Sequence, residues 1–358
     1  MPPRVRKDMP SVQLDRTEFI ARYRARFHDP AFRNLETEIS AIAEVAWEAY
    51  SEYRKAPVTR KAGPGYADPD YDLAVEWIEA SERIREAEAA QKNPASPSRI
   101  LLVNGASRSN QTCPGEASKT WRLAQAARDI FARQDGWDIG DLDLSRLSSE
   151  YGRHIHPCKT CVSTAMPLCH WPCSCYPNHA LGQVQDWMHD IYPMWSAAHG
   201  VMILTPVNWY TSSSALKLMI DRLVCADGGN PDPTSTHGKD PAKAKDIELA
   251  GWGYPRHLAG RVFSVVVHGD AVGAEGARAD LAAWLSDIGL VEAGHLSQLS
   301  GYIGYKKPYA TSHEDLDRDE ATFEEVRNAA RALVSAVQQM RAGHGWRPDI
   351  ALKEPRPK

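Results

Sequence analysis

Hydrophobic residues in the first part of the chain recur every three or four positions, which is the period of amphipathic helices. They do so over residues 19–27, 35–53 and 73–84, and these runs predict three helices. A Gly-Pro-Gly break at residues 63–65 separates the second run from the third, and a proline-rich linker ends the region. We therefore predict a helical N-terminal extension over residues 1–97.

From residue 99 onward, short apolar runs alternate with segments of helical periodicity. The runs predict five strands at residues 100–104, 137–144, 201–206, 261–268 and 290–296. Strands that are separated by helices indicate a parallel sheet covered on both faces, which is a doubly wound α/β fold. We assign this domain to residues 98–342 and a C-terminal tail to 343–358. Ligands of such folds bind beside the carboxyl ends of the strands.

Composition is typical of a globular protein, and the net charge disfavours some classes of binding partner. Of the 358 residues, 43% are hydrophobic and 25% are charged, which is typical of soluble domains. The net charge of -4 favours neither a nucleic-acid partner nor a membrane surface. The longest apolar runs are too short to span a bilayer, and no apolar segment follows the N-terminal Arg4, Arg6 and Lys7. We expect a cytoplasmic protein.

The loop after the first strand is rich in hydroxyl groups and carries a cation. It lacks both the G-x-G-x-x-G pattern of dinucleotide sites and the G-K-[ST] of nucleotide triphosphate sites. Hydroxyls and an arginine at the start of a helix suit a single phosphate monoester, such as that of FMN. A serine-rich turn that only caps the helix is the alternative. The candidate phosphate ligands are Ser107, Arg108, Ser109, Ser118 and Thr120.

Two segments resemble the NAD(P)H-dependent FMN reductase family, whose members are flavodoxin-like. The first is the pattern Gly105-x-Ser107-Arg108-Ser109 followed by Ser118-x-Thr120. The second is Thr205-Pro206-Val207-Asn208-Trp209-Tyr210 followed by Leu216-Lys217-x-x-Ile220-Asp221-Arg222, after the third strand. The resemblance implies a flavodoxin-like five-stranded sheet. It also implies that the flavin ring lies between Pro206, Val207, Asn208, Trp209 and Tyr210 on one side and His268, Gly269, Asp270 and Gly273 on the other.

The same resemblance implies an FMN-dependent NAD(P)H oxidoreductase. A hydride would pass from NADH or NADPH to the flavin, and the electrons would then reach a quinone, a free flavin or another small acceptor. Because the flavin carries the chemistry, we expect no obligatory catalytic side chain. Family members suggest a homodimer or homotetramer.

Five of the seven cysteines lie within 18 residues, whereas Cys113 and Cys225 lie elsewhere. Clustered thiols in a reducing compartment are more often metal or redox groups than disulfides. The spacing C-x2-C-x7-C-x3-C offers four ligands for a [4Fe-4S] cluster or a zinc ion, namely Cys158, Cys161, Cys169 and Cys173. A cysteine loop that binds no metal is equally open.

The position of this segment is similar to the cysteine motif of iron-sulfur flavoproteins, although the spacing differs and Cys175 is additional. An iron-sulfur flavoprotein, or a flavodoxin-like electron carrier that a protein donor reduces, is therefore the alternative to a nicotinamide-dependent reductase. A zinc-stabilised scaffold without flavin is a third hypothesis.

Overall fold

A computed structural model describes residues 12–344, and the contacts within it divide the chain into two compact units. The larger unit comprises Ala80–Cys158, Trp187–Gly229 and residues 253–344. The smaller unit comprises residues 12–79, Lys159–Asp186 and Asn230–Trp252. Residues 12–79 of the predicted extension thus share a unit with two segments from the predicted 98–342 domain, whereas its residues 80–97 belong to the larger unit. Residues 1–11 of the predicted extension and 345–358 of the predicted tail lie outside the described residues.

Eight strands and eleven α-helices follow one another through residues 12–344, together with short 3₁₀ turns. The strands are β1 (Thr59–Lys61), β2 (Asp72–Ala74), β3 (Ser98–Asn104), β4 (Trp137–Asp143), β5 (Gly200–Pro206), β6 (Val262–Gly269), β7 (Val291–Glu292) and β8 (Gln298–Tyr302). The helices are α1 (Arg16–Arg24), α2 (Glu36–Ser51), α3 (Val75–Lys92), α4 (Lys119–Ala132), α5 (Arg146–Ser149), α6 (Met188–Ala197), α7 (Ser214–Arg222), α8 (Pro241–Leu249), α9 (Ala274–Asp287), α10 (Ser312–Asp317) and α11 (Glu320–Arg341).

The larger unit is built on a parallel sheet in the order β4-β3-β5-β6, with β7 and β8 both paired to the far edge of β6. Strands β5 and β6 are buried along nearly their whole length, as their mostly apolar sequences predict. The order places β3 between β4 and β5, the two strands that follow it along the chain, so the direction of winding reverses at β3. The predicted α/β doubly wound fold is confirmed.

The predicted fifth strand at residues 290–296 is interrupted in the structure. Strand β7 is only two residues long, and a 3₁₀ turn at His295–Ser297 precedes β8. Gly294 opens this turn at a φ of +107°, which an L side chain rarely adopts. The buried Ser264 hydroxyl then donates to the Ser297 carbonyl at 2.6 Å and fixes the turn against β6.

Helices cover both faces of this sheet. Helices α4 and α11 pack on one face, where Ile100, Leu123, Phe131, Leu333 and Val337 belong to one buried cluster. Trp195 of α6 meets Trp284 of α9 edge to face, with ring centroids 6.0 Å apart. Within residues 12–344, no helix has both the length and the apolar character that crossing a membrane requires.

The smaller unit contains α1, α2, α8 and an antiparallel pair formed by β1 and β2. Sequence periodicity predicts the N-terminal helices but misses this pair, whose strands have three residues each. It also misses α8, because Pro241–Leu249 has no strong periodicity. Helix α8 begins with a local signal, since the Asp240 carboxylate accepts from the Ala242 amide at 2.8 Å and Pro241 occupies the first turn.

Candidate functional site

The loop after β3 is shaped by Asn104 and Gly105. The Asn104 side chain accepts from the Ala106 amide at 3.1 Å and donates to the Asp143 carboxylate at 3.0 Å, which fixes the start of the loop. A Cβ atom on Gly105 would lie 2.9 Å from Leu216 Cδ2 and 3.0 Å from Thr205 Cβ. Only glycine lets the loop pack this closely against β5 and α7.

The same loop ends at the N-terminus of α4, which is an anion-binding feature. Ser118 is the N-cap residue, and its hydroxyl accepts from the Trp121 amide at 3.1 Å. The remaining first-turn amides lack partners within the helix, and together with the helix dipole they favour a negative charge. Arg108 donates to the Glu116 carbonyl at 3.1 Å, while its buried Nε has no hydrogen-bond partner among residues 12–344.

Thr120 and His268 join α4 to the end of β6. Thr120 Oγ1 and His268 Nε2 lie 2.8 Å apart, and both side chains are buried. Burial, with a smaller contribution from Lys119, lowers the pKa of His268 to about 3, so the ring is neutral at physiological pH. The buried Nδ1 of His268 has no hydrogen-bond partner in the described part of the chain.

Backbone hydrogen bonds connect the loops after β5, β6 and β8. The Val207 amide donates to the His268 carbonyl at 2.8 Å, and the Ile303 amide donates to the Gly269 carbonyl at 2.8 Å. A Cβ atom on Gly269 would lie 2.3 Å from Val207 Cγ1, so this close approach requires glycine. The loops form one continuous wall.

The aromatic pair Trp209 and Tyr210 stands at the tip of the β5 loop. The side chains are 94% and 69% exposed, so they do not belong to the core. Both residues have positive φ values, +46° and +70°, within a tight turn in which Asn208 and Thr211 exchange backbone hydrogen bonds. Gly273, at a φ of +107°, lies against this turn, because a Cβ atom there would be 2.8 Å from the Tyr210 Cα.

These loops enclose a cavity of about 600 Å³ at the carboxyl end of the sheet, a size that is typical of small-molecule sites. Among the predicted residues, it is lined by Ser107, Arg108, Ser118, Thr120, Pro206, Val207, Asn208, His268, Gly269 and Asp270. Trp209, Tyr210 and Gly273 stand outside this lining. Ser109 is buried inside the loop, where its amide donates to the Thr112 hydroxyl at 3.1 Å.

The cavity also includes residues that sequence reasoning did not single out, among them Lys119, Glu116 and His313. Lys119 Nζ lies 3.8 Å from the Asp270 carboxylate, and burial lowers the pKa of Lys119. His313 Nδ1 lies 3.1 Å from the Glu116 carboxylate, and burial lowers the pKa of His313 as well. Lys119 could have been identified from its place between Ser118 and Thr120, whereas His313 belongs to no motif.

The cysteine segment folds within the smaller unit and gathers a set of thiols that differs from the predicted one. The Cys161 thiol contacts the sulfurs of Cys169 and Cys175, and Cys173 lies close enough to act on it electrostatically. Cys158 belongs to the larger unit. No disulfide bond joins any of the seven cysteines, all of which lie within residues 12–344. Among residues 12–344, no group of three or more His, Cys, Asp or Glu side chains is arranged to hold a metal ion, so the predicted metal site gains no support.

Two buried lysines accompany these thiols. Lys239 Nζ lies 3.7 Å from Cys161 Sγ and donates to the Leu168 carbonyl at 2.7 Å, while Lys55 donates to the Ser174 carbonyl. Burial lowers the pKa of Lys239, but the surrounding thiols outweigh burial and the net shift is upward. Hydrogen bonds with Cys169 and Cys175, helped by the Lys239 ammonium, lower the pKa of the Cys161 thiol.

The open parallel sheet, with a phosphate-type loop opening onto a helix at its carboxyl edge, defines a flavodoxin-like α/β protein. The family model for NADPH-dependent FMN reductase matches residues 98–300, which is more than half of the chain. The chain belongs to this family, and it is an NAD(P)H-dependent flavin oxidoreductase. The resemblance seen in the sequence is thereby confirmed. A search of curated proteins finds no match.

Solved structures that are similar to this chain are distant from it in sequence. RosB, with a bound formylriboflavin phosphate intermediate, is 14% identical; the match covers 69% of this chain and 82% of RosB, with a TM-score of 0.46. An azoreductase from Bacillus anthracis is 12% identical, with coverages of 65% and 98% and a TM-score of 0.36. Oxidised flavodoxin 2 from Bacillus cereus is 12% identical, with coverages of 66% and 99% and a TM-score of 0.33.

Proposed function

We propose that the cavity binds FMN and that the protein passes electrons from NADH or NADPH to a small-molecule acceptor. The observation that carries this proposal is that two different surfaces, a helix N-terminus and a wall of backbone, line the same cavity. A helix N-terminus with hydroxyl groups and Arg108 forms one end, and a glycine-containing backbone wall forms the other. The first suits a phosphate and the second suits the edge of a flat ring.

The residues present fit the phosphate and the ring of FMN. Ser118, Thr120 and Arg108 would hold the phosphate, because hydroxyl groups and an arginine donate to phosphate oxygens. Bound FMN would supply the redox chemistry, taking up a hydride and releasing electrons. The neutral His268 keeps its ring in place through Thr120, and the proposal requires no side chain to act as an acid or base.

A quinone, a free flavin or a similar planar compound is the acceptor that we propose. The exposed rings of Trp209 and Tyr210 beside the cavity support it, since flat aromatic surfaces suit planar ligands. We also retain the proposal of a homodimer or homotetramer, because large aromatic side chains left in solvent are enriched at subunit interfaces. The cytoplasmic location stays a prediction.

A visible spectrum of the purified protein, followed by anaerobic addition of NADPH, tests the proposal. We expect flavin absorption bands that bleach rapidly with one equivalent of NADPH and return on addition of a quinone. Bands that bleach only with a reduced ferredoxin, and not with NADPH or NADH, would instead identify an electron carrier. A colourless protein that gains no flavin from added FMN would contradict the whole proposal.

A further inference from the structure

Among residues 12–344, two acidic side chains line the cavity that we propose for FMN, and their charges are matched differently. The Asp270 carboxylate lies 3.8 Å from the Lys119 ammonium, which also donates to the Ile303 carbonyl at 3.3 Å. The Glu116 carboxylate lies 3.1 Å from Nδ1 of His313, a residue of α10. A histidine matches the charge of a carboxylate when its ring is protonated, and it does not when the ring is neutral.

Glu116 stands at the end of the cavity that suits a phosphate. It lies just before Ser118, the N-cap of α4, and its backbone carbonyl accepts from Arg108 at 3.1 Å. The helix N-terminus and Arg108 attract an anion, whereas the Glu116 carboxylate repels one. A phosphate with two negative charges is therefore favoured at this end when a second cation offsets Glu116.

His313 is the group that is positioned to provide this second positive charge. It lines the same cavity, and its side chain is 18% exposed. Burial lowers the pKa of His313 most, the Glu116 carboxylate raises it, and three nearby cations lower it further. These cations are Arg122, Lys119 and Arg108. Together they favour the neutral ring above about pH 7, and an added negative charge acts in the opposite direction.

Two further carboxylates of α10 have partners of their own. Asp317 lies one helical turn from His313, and both of its carboxylate oxygens accept from Arg122 at 2.7 Å. The Asp315 carboxylate lies 2.8 Å from the Lys307 ammonium. The charges of these two carboxylates are therefore matched whether or not His313 carries a proton.

We propose that His313 recognises the FMN phosphate in its protonated form, so that the binding of FMN takes up one proton from solvent. This role rests on the FMN site proposed above. A phosphate monoester has a second pKa of about 6, so it carries two negative charges above about pH 7 and stabilises an imidazolium beside it. The imidazolium in turn offsets Glu116. Riboflavin has no phosphate and supplies no such charge, so its binding takes up no proton.

Calorimetric titration of the full-length, flavin-free protein measures this proton directly. Titration with FMN at about pH 7.5, in two buffers of different ionisation enthalpy, gives the proton uptake, which we expect to be about 0.5 to 1 per chain. The FMN dissociation constant should rise between about pH 7 and pH 8.5, by up to about tenfold per pH unit, because the bound state loses its proton as the pH rises. Riboflavin should bind without proton uptake and with the same affinity across this range.

Three variants assign the proton. His313→Gln keeps a hydrogen-bonding side chain but cannot be protonated, so proton uptake should vanish and FMN affinity at about pH 7 should fall by about tenfold, with riboflavin unaffected. Adding Glu116→Gln to this variant removes the repulsion, so FMN affinity should recover while proton uptake does not. His295→Gln is the control, because His295 is an exposed residue of the larger unit that does not line the cavity. It should match the wild type in every measurement.

The outcomes separate the role of His313 from the FMN site itself. FMN binding without proton uptake, or with an uptake that His313→Gln retains, would overturn this role and leave the flavin proposal intact. Equal losses of FMN and riboflavin affinity in His313→Gln would show that His313 supports the cavity wall and does not recognise phosphate. A protein that binds neither flavin would refute the FMN site and this role with it.

Discussion

Arg108 is a cation of the loop after β3 and lines the cavity. In the proposed FMN site it would contact the phosphate and not the ring, so its replacement tests the two parts separately. Arg108→Gln should weaken FMN binding by about 10- to 100-fold, since a hydrogen bond to a charged group contributes about 1.5–3 kcal/mol. Riboflavin, which lacks the phosphate, should bind the variant and the wild type equally. Fluorescence titration with both flavins measures the difference.

Arg122 provides the matched control for this prediction. It lies on α4 but pairs with Asp317 at 2.7 Å, and it does not line the cavity. Arg122→Gln should leave the affinities for FMN and riboflavin unchanged. Equal losses for both flavins in the Arg108 variant would show that Arg108 supports the loop and does not bind phosphate.

Gly273 tests whether the turn that carries Trp209 and Tyr210 shapes the cavity. An alanine there would combine a φ of +107° with a Cβ atom 2.8 Å from the Tyr210 Cα, so the turn must shift. We expect Gly273→Ala to weaken FMN binding by about tenfold, equivalent to about 1.4 kcal/mol.

Gly276 is the control for Gly273. It lies in α9, and a Cβ atom added to it would have no neighbouring atom within 4 Å. Gly276→Ala should therefore stabilise the helix by up to about 1 kcal/mol and leave FMN binding unchanged. A lower free energy of unfolding in Gly273→Ala and a higher one in Gly276→Ala would support the view that the turn at Gly273 requires glycine. An unchanged FMN affinity in both variants would refute it.

At the scale of elements, the cap of α4 has two effects that can be separated. Ser118→Ala should lower the free energy of unfolding by about 1 kcal/mol, because the Trp121 amide loses its acceptor. It should also weaken FMN binding, because Ser118 lines the cavity. Asp240→Ala removes the cap of α8 in the other unit and should cost similar stability with no change in FMN binding. Urea unfolding and flavin titration measure both quantities.

Elements differ in how far sequence predicts them, and the reason is physical. Strands β3, β5 and β6 are buried along most of their length, so apolar residues dominate each of them. Helix α8 buries little apolar surface and has no strong periodicity, so only its Asp-Pro cap marks it. Most of the candidate residues after β3 could be predicted to line one cavity because they are nearly contiguous in the sequence.

The arrangement of the thiol cluster could not be predicted from local sequence patterns. Local spacing indicates which cysteines are neighbours in sequence, but Lys55 and Lys239 come from segments far away in the chain, and only tertiary structure brings them beside the thiols. Sequence spacing therefore includes Cys158 in the candidate set, whereas the fold places Cys175 in contact with Cys161. A long-range pairing of this kind has no periodic signature.

At the scale of the whole molecule, buried neutral histidines determine how stability depends on pH. His199 is buried and accepts from the Arg99 amide through Nδ1 at 3.0 Å, while Nε2 lies 2.9 Å from the Gln91 carbonyl. Protonation would remove that acceptor. Burial, with smaller contributions from nearby arginines, lowers the pKa of His199 to about 4, and burial lowers that of His268 to about 3.

Because both pKa values lie below the ordinary value of 6.5, the unfolded chain binds protons that the folded chain does not. The free energy of unfolding should therefore be fully maintained above about pH 6.5 and fall by up to about 1.4 kcal/mol per pH unit for each histidine as the pH drops toward 4. His199→Gln should reduce this slope by up to about 1.4 kcal/mol per pH unit, because the variant lacks this histidine. Urea unfolding between about pH 7.5 and pH 5 measures the slopes, and equal slopes for the wild type and His199→Gln would refute the assignment.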